Sequence, residues 1–204
     1  MPTSRDLWFG TSGPRNADIV LIGESWGFQE AAAQKPFIGA SGQELRRMLG
    51  EAGIATGACF FTNTIADRPA NNEMWRFFHP SKEASEPALR GLHPTAFARA
   101  ELARLYAQLE EIKPKLIVAV GNYALWALTN CTGYTTTQES EGRRVPNGIE
   151  SWRGSMWFAD AAPGALANTK LLPIIHPAAI LREWYKRAVT VHALRERAAM
   201  ALRN

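Results

Sequence analysis

Along the chain, short unbroken apolar runs alternate with longer stretches in which apolar positions recur every three or four residues. The first run, ADIVLIG (17–23), ends in glycine and predicts a strand buried on both faces. Ser41-Gly-Gln-Glu44 has the form of a capping box, and beyond it Leu45, Met48 and Leu49 share one face of a helix. ACFFTNT (58–64) reads as a second strand. Residues 65–94 show no period and read as one long loop, which in a compact domain is usually functional. A helix is predicted from Thr95 to Ile112, a strand at KLIVAVG (115–121) and a short helix from Asn122 to Asn130. Residues 131–168 are polar and glycine-rich apart from a strand-like SMWFA (155–159). KLLPIIH (170–176) is the last strand, and a helix rich in Arg and Ala follows it.

Strands alternating with helices predict a parallel sheet covered on both faces. The expected architecture is a three-layer α/β/α sandwich around a mostly parallel four-stranded sheet, with residues 1–204 folding as one domain. A chain of 204 residues is long enough to bury a continuous core. Its 46% apolar and 21% charged residues exclude disordered and fibrous classes. Without a long apolar run or a leader-like h-region, neither a membrane span nor a secretory signal is expected. Cys59 and Cys131, the only two cysteines, are too few for a disulfide framework or a four-thiolate site, which fits a reducing cytoplasm. No coiled-coil seam appears, and a monomer is expected.

Charge changes the picture at one end. From Arg182 onward six cationic residues face two anionic ones, and this excess of four equals the net +4 of the whole chain. A basic closing helix suggests a polyanion such as DNA, or simply a solvated helix face.

Ligands of open parallel sheets sit beyond the carboxyl ends of the strands. Three predicted strands end there in polar groups: Glu24 after the first, Asn63 in the second and His176 in the last. Parallel strands would gather these three at one rim. Gly23-Glu24-Ser25-Trp26-Gly27 also fits G-x-S-x-G, a nucleophile elbow. An elbow needs an oxyanion loop from an earlier strand, and only 18 residues precede this one. The carboxylate reading around Glu24 is therefore preferred to a nucleophilic Ser25.

Four segments in order resemble the uracil-DNA glycosylase superfamily, nearest its bacterial and archaeal family 4 branch. GESWGFQEAAAQKPFIGASGQELRRML resembles the branch's G-E-A-P-G…K/R-P-F-V-G motif, and FTNTIADRP its T-N-x-x-x-C-R-P segment. KPKLIVAVGNYALWAL is similar to its third strand and helix, and LLPIIHPAAILREWYKRAVTVHALRE to its closing strand, H-P loop and basic helix.

The resemblance implies a glycosylase that flips a base out of DNA and hydrolyses its N-glycosidic bond without metal or cofactor. It implies that Glu24 orients water and that His176 donates to the base carbonyl where negative charge develops. Phe37 would stack on the base and Asn63 would read its edge, with Gly23, Ser25 and Trp26 lining the same pocket. Gly39, Ser41, Pro177, Ala178, Arg182, Lys186 and Arg187 would contact DNA, and Ile180 or Leu181 would wedge into the duplex.

Three departures bear on these expectations. Family 4 carries an iron–sulfur cluster on four cysteines. Here Asp67 replaces the cysteine of the C-R-P segment, and no cluster is expected. Ser25-Trp26 replaces Ala-Pro, so Trp26 either reshapes the pocket or is a core tryptophan. Residues 70–93 are longer and more aromatic than the usual connection; Trp75, Phe77 and Phe78 pack in the cluster's place or touch DNA. A modified pyrimidine or deaminated purine as substrate, and a non-catalytic DNA-binding protein, are the alternatives.

Overall fold

A computed structural model describes residues 6–80, 92–129, 148–159 and 164–203. In chain order its strands are β1 Ile19–Gly23, β2 Cys59–Asn63, β3 Phe78–Pro80, β4 Leu92–Pro94, β5 Leu116–Val120, β6 Trp157–Phe158 and β7 Lys170–Ile174. Its helices are α1 Phe28–Ala33, α2 Ala40–Glu51, α3 Ala96–Ile112, α4 Asn122–Leu128, α5 Ile149–Trp152, α6 Pro177–Ile180 and α7 Lys186–Leu202.

The central sheet runs β2-β1-β5-β7-β6. All its pairings are parallel except the short edge strand β6, which is antiparallel to β7. The sheet thus has five strands rather than the expected four, the fifth falling within the strand-like 155–159.

Alternation along the strands divides the core in two. Val20, Ile22, Phe60, Ile117 and Ala119 face one layer, with Leu105 and Leu109 of α3 and Leu125 of α4. Leu21, Phe61, Val118, Leu172 and Ile174 face the other, with Leu45, Met48 and Leu49 of α2 and Leu194 of α7. Helices on both faces leave β1, β2 and β5 buried along their whole length, the condition a parallel sheet requires.

Two local expectations need correction. α2 begins at Ala40 with Gly39 as its N-cap and no side-chain cap, so Ser41 lies inside the helix. The capping box fails because Glu30 already accepts the Ile38 and Gly39 N–H groups (3.0 and 2.8 Å), fixing the entry two residues early. Glu44, its intended partner, is buried and accepts instead from Arg187 at 2.6 Å. The 65–94 segment is more than a loop: turns at Ala70–Asn72 and Met74–Phe77 lead into the antiparallel pair β3–β4. Apolar side chains drive this ordering, for Phe78 packs on Trp126 and Tyr123 (5.2 and 5.5 Å between centroids) and Phe77 on Phe97. Trp75 remains exposed. Finally, Thr95 caps α3 by accepting the Ala98 N–H at 3.2 Å, as a threonine in that place should.

Candidate active site

β1, β2, β5 and β7 run in the same direction, so their carboxyl ends share one rim. In the β1–β2 register Gly23 lies directly opposite Asn63. A methyl group on Gly23 would sit 2.6 Å from the Phe37 ring and 2.7 Å from the Asn63 amide nitrogen. Glycine therefore lets an aromatic face and an amide approach the same spot. Phe37 holds a left-handed backbone conformation (φ 54°), a strain that persists only where the surroundings impose it. The imposing contacts are Gly42, which packs directly under the Phe37 backbone, and Glu30, which anchors the next two residues. The ring also stands edge-on to Phe61 at 5.9 Å.

Asn63 is 4% exposed. Its Nδ2 donates to the Ser25 carbonyl at 3.2 Å, which sets the amide's orientation. Its Oδ1 is buried and has no hydrogen-bond partner among the described residues. A buried acceptor without a donor is costly, and a ligand N–H would satisfy it.

Glu24 and His176 meet at Gly121. A methyl group there would lie 2.4 Å from Glu24 Oε1 and 3.2 Å from His176 Cβ, and Gly121 has φ +92°. The Tyr123 backbone N–H donates to the same Glu24 oxygen at 3.3 Å. His176 caps α6, its Nδ1 accepting the Ala178 N–H at 3.2 Å. In the neutral ring the proton then rides on Nε2, which is left as a donor.

The rim thus brings together Gly23, Glu24, Phe37, Asn63 and His176. Ser25 contributes its carbonyl, and the first helix after it starts only at Phe28, not behind the serine as an elbow demands. Trp26 is 5% exposed and packs on Phe9 (5.4 Å) and Gly10, so of its two readings the core tryptophan is the one seen.

The expected DNA-contact residues divide. Pro177 and Ile180 are buried and Ala178 half-buried, while Leu181 is 45% exposed and Arg182 exposed. Of the two wedge candidates Ile180 is core and Leu181 is outward. Gly39 spends its N–H on Glu30, and Ser41 is half-buried in the first turn of α2. Arg187 bonds Glu44 and both oxygens of Glu51 (2.6 to 2.8 Å), and Lys186 pairs with Glu150 and Glu183. Both cations have carboxylate partners here, with which a phosphate would have to compete. Sequence reasoning passed over Gly121, Tyr123 and Glu30; the glycine closing KLIVAVG was the available signal for the first.

An iron–sulfur cluster does not fit this chain. A cubane needs four thiolates, and of the two cysteines present Cys59 is buried in β2, its thiol pushed up to about 11 by burial. Cys131 lies outside the described residues. The Asp67 carboxylate accepts the Arg68 N–H, and its carbonyl accepts the Trp26 N–H. Among the described residues no three His, Cys, Asp or Glu side chains are grouped to hold a metal ion, and no helix is long and apolar enough to cross a membrane.

Comparison with known proteins agrees with this geometry. The family model of the uracil DNA glycosylase superfamily matches residues 9–199. A type-4 uracil-DNA glycosylase of Thermotoga maritima is 30% identical over 174 residues, covering 83% of this chain and 70% of the relative. Those of Archaeoglobus fulgidus and Pyrobaculum aerophilum are each 29% identical, over 83% and 84% of this chain and 69% and 71% of theirs. With a match across nearly its full length, the chain belongs to the uracil DNA glycosylase superfamily and is an enzyme of that hydrolytic N-glycosylase type.

Proposed function

We propose that the protein excises uracil flipped out of DNA and leaves an abasic site. The observation that carries this reading is the convergence on Gly23 of the Phe37 ring and the Asn63 amide, one residue from Glu24. A pyrimidine stacked on Phe37 would present its ring N–H to the orphaned Asn63 Oδ1, while the second N–H of the amide donates to the adjacent carbonyl. Cytosine lacks that ring N–H, so this pairing favours uracil. His176 Nε2 donates to O2 of the base, where charge accumulates as the C1′–N1 bond breaks and its electron pair leaves with the base. Glu24 holds the water that attacks C1′, accepts its proton, and offsets the positive charge of the sugar. No lysine lies among these groups, so a Schiff-base lyase step is not part of the mechanism. Leu181 would fill the gap left by the base, and Arg182 would face phosphate.

The Ser25-Trp26 replacement would favour a modified base if it reshaped the pocket, but Trp26 packs against Phe9 and Gly10 instead, which favours unmodified uracil. The test is a labelled duplex carrying one deoxyuracil, incubated with protein and then treated with hot alkali. Wild type should yield strand cleavage, with strong losses for Glu24→Gln and His176→Ala. An intact strand with wild type refutes the reading.

A further inference from the structure

α3 is amphipathic, yet its core-facing side carries two charges. Glu101 and Arg104 are each 7% exposed and pair at 3.0 Å. A buried ion pair is weak evidence for stability, since its desolvation offsets the attraction and an apolar pair of similar volume often does as well. Its other bonds are more informative. Arg104 Nη2 donates to the Asn63 carbonyl at 2.9 Å, and Glu101 Oε2 accepts the Ala66 N–H at 2.7 Å. The pair thus grips both ends of the 63–66 turn. Between those ends, the Thr64 and Ile65 N–H groups donate to the carbonyls of Gly23 and Glu24 (2.9 and 3.0 Å). One buried pair on a helix outside the pocket therefore holds the turn that carries Asn63 and is laced to Glu24.

We propose that Glu101 and Arg104 are positioning residues for base recognition, a clamp that sets the Asn63 amide in the orientation that distinguishes uracil from cytosine. The inference rests on the uracil-excision reading above and assigns that site its specificity device. Charge-assisted bonds are short and directional, which suits a part that must not drift. A misplacement of about 1 Å at a reacting site costs about 100-fold. Among the described residues the Asn63 side chain has one bond, to the Ser25 carbonyl, so its accuracy depends on its backbone, which pairing with Gly23 holds on one side and the clamp on the other.

The test uses full-length Arg104→Lys, which keeps the charge and loses the fork, and Glu101→Gln, which keeps an acceptor and loses the charge. Four quantities are measured well below every melting midpoint: inhibition by free uracil, inhibition by free cytosine, single-turnover uracil excision, and affinity for a duplex with a tetrahydrofuran abasic analogue. Expected are a rise of about 10-fold in the uracil inhibition constant, an excision rate reduced about 10- to 100-fold, and unchanged abasic-duplex affinity. The ratio between uracil and cytosine inhibition should narrow. Variants with lower melting temperatures but a wild-type uracil constant would show a purely structural pair and overturn the proposal. Equal losses for uracil and abasic duplex would overturn it too, as general loosening. If Arg104→Lys does not fold, Glu101→Gln decides by the same readouts. Wild type that neither excises uracil nor binds it removes the function itself, an outcome distinct from failure of the clamp.

Discussion

Gly121 shows how a residue without a side chain can govern a site. Its φ of +92° lies in the left-handed range, and its missing Cβ leaves the space into which Glu24 Oε1 fits. Gly121→Ala should therefore reduce single-turnover excision by about 100-fold or more, through displaced Glu24 rather than lost folding. Circular dichroism and melting, run beside the kinetics, separate the two; full activity in a folded variant would refute it. Cys59 behaves oppositely, as a residue whose chemistry is suppressed. Burial raises its thiol to about 11, so little thiolate exists at neutral pH. Iodoacetamide at pH 8, followed by peptide mass mapping, should leave Cys59 unmodified in the folded chain and label it after denaturation. The same shift has a stability consequence. The folded state keeps its thiol proton above the ordinary value of 9.0, so this contribution to stability is lost as pH rises from there through about 11.

At the scale of elements, α2 and α7 are joined by Arg187. Glu44, 1% exposed, and Glu51 come from α2, and the guanidinium that serves both comes from α7. Arg187→Met would leave Glu44 buried with, among the described residues, the 3.5 Å contact to Arg47 as its remaining ion pair. Removing one partner of a buried pair costs about 3 kcal/mol, which for a domain of this size lowers the melting midpoint by roughly 6 to 12 °C. The loss should also depend on pH. The Arg187 bond holds the Glu51 carboxyl below its ordinary value of 4.5. That stabilisation is present above 4.5 and fades as pH falls through the depressed value. The gap between wild type and variant should therefore narrow in acid by the Glu51 share; a gap that stays constant down the acid limb would contradict the link. The α6 end shows the same division of labour, with Ile180 fully buried to seat the loop and Leu181 outward.

Over the whole molecule, four of the six cations from Arg182 onward already have partners within the chain. Lys186 and Arg187 face carboxylates, and Arg195 and Arg197 donate to the Glu51 and Gly154 carbonyls. Arg182, exposed beside the outward Leu181, is the cation best placed for phosphate. Removing one phosphate contact reduces the slope of log K against log salt by about 0.9. Arg182→Ala should show that reduction in titrations of an abasic-analogue duplex, and an unchanged slope would place the phosphate contacts elsewhere.

The order of β1, β2, β5 and β7 and of the helices α2, α3, α4 and α7 was legible in the sequence because apolar periodicity is a local property, set by neighbours within a turn or a pleat. So were Glu24, Asn63 and His176 as a group, since parallel strands must deliver their carboxyl ends to one rim. Other features depended on partners far along the chain. Ser41 and Glu44 satisfy a capping pattern, but Glu30 fixes the helix start and Arg187, 143 residues on, claims Glu44. Trp26 stands in a pocket motif, yet Phe9 and Gly10 leave room for its indole in the core. Ile180 and Leu181 are adjacent apolar letters, and only packing against α2 and the sheet decides which is buried. Hydrophobic period and strand polarity are written residue by residue; which charge meets which, and which apolar side chain finds a cavity, is decided when distant segments compete for the same space.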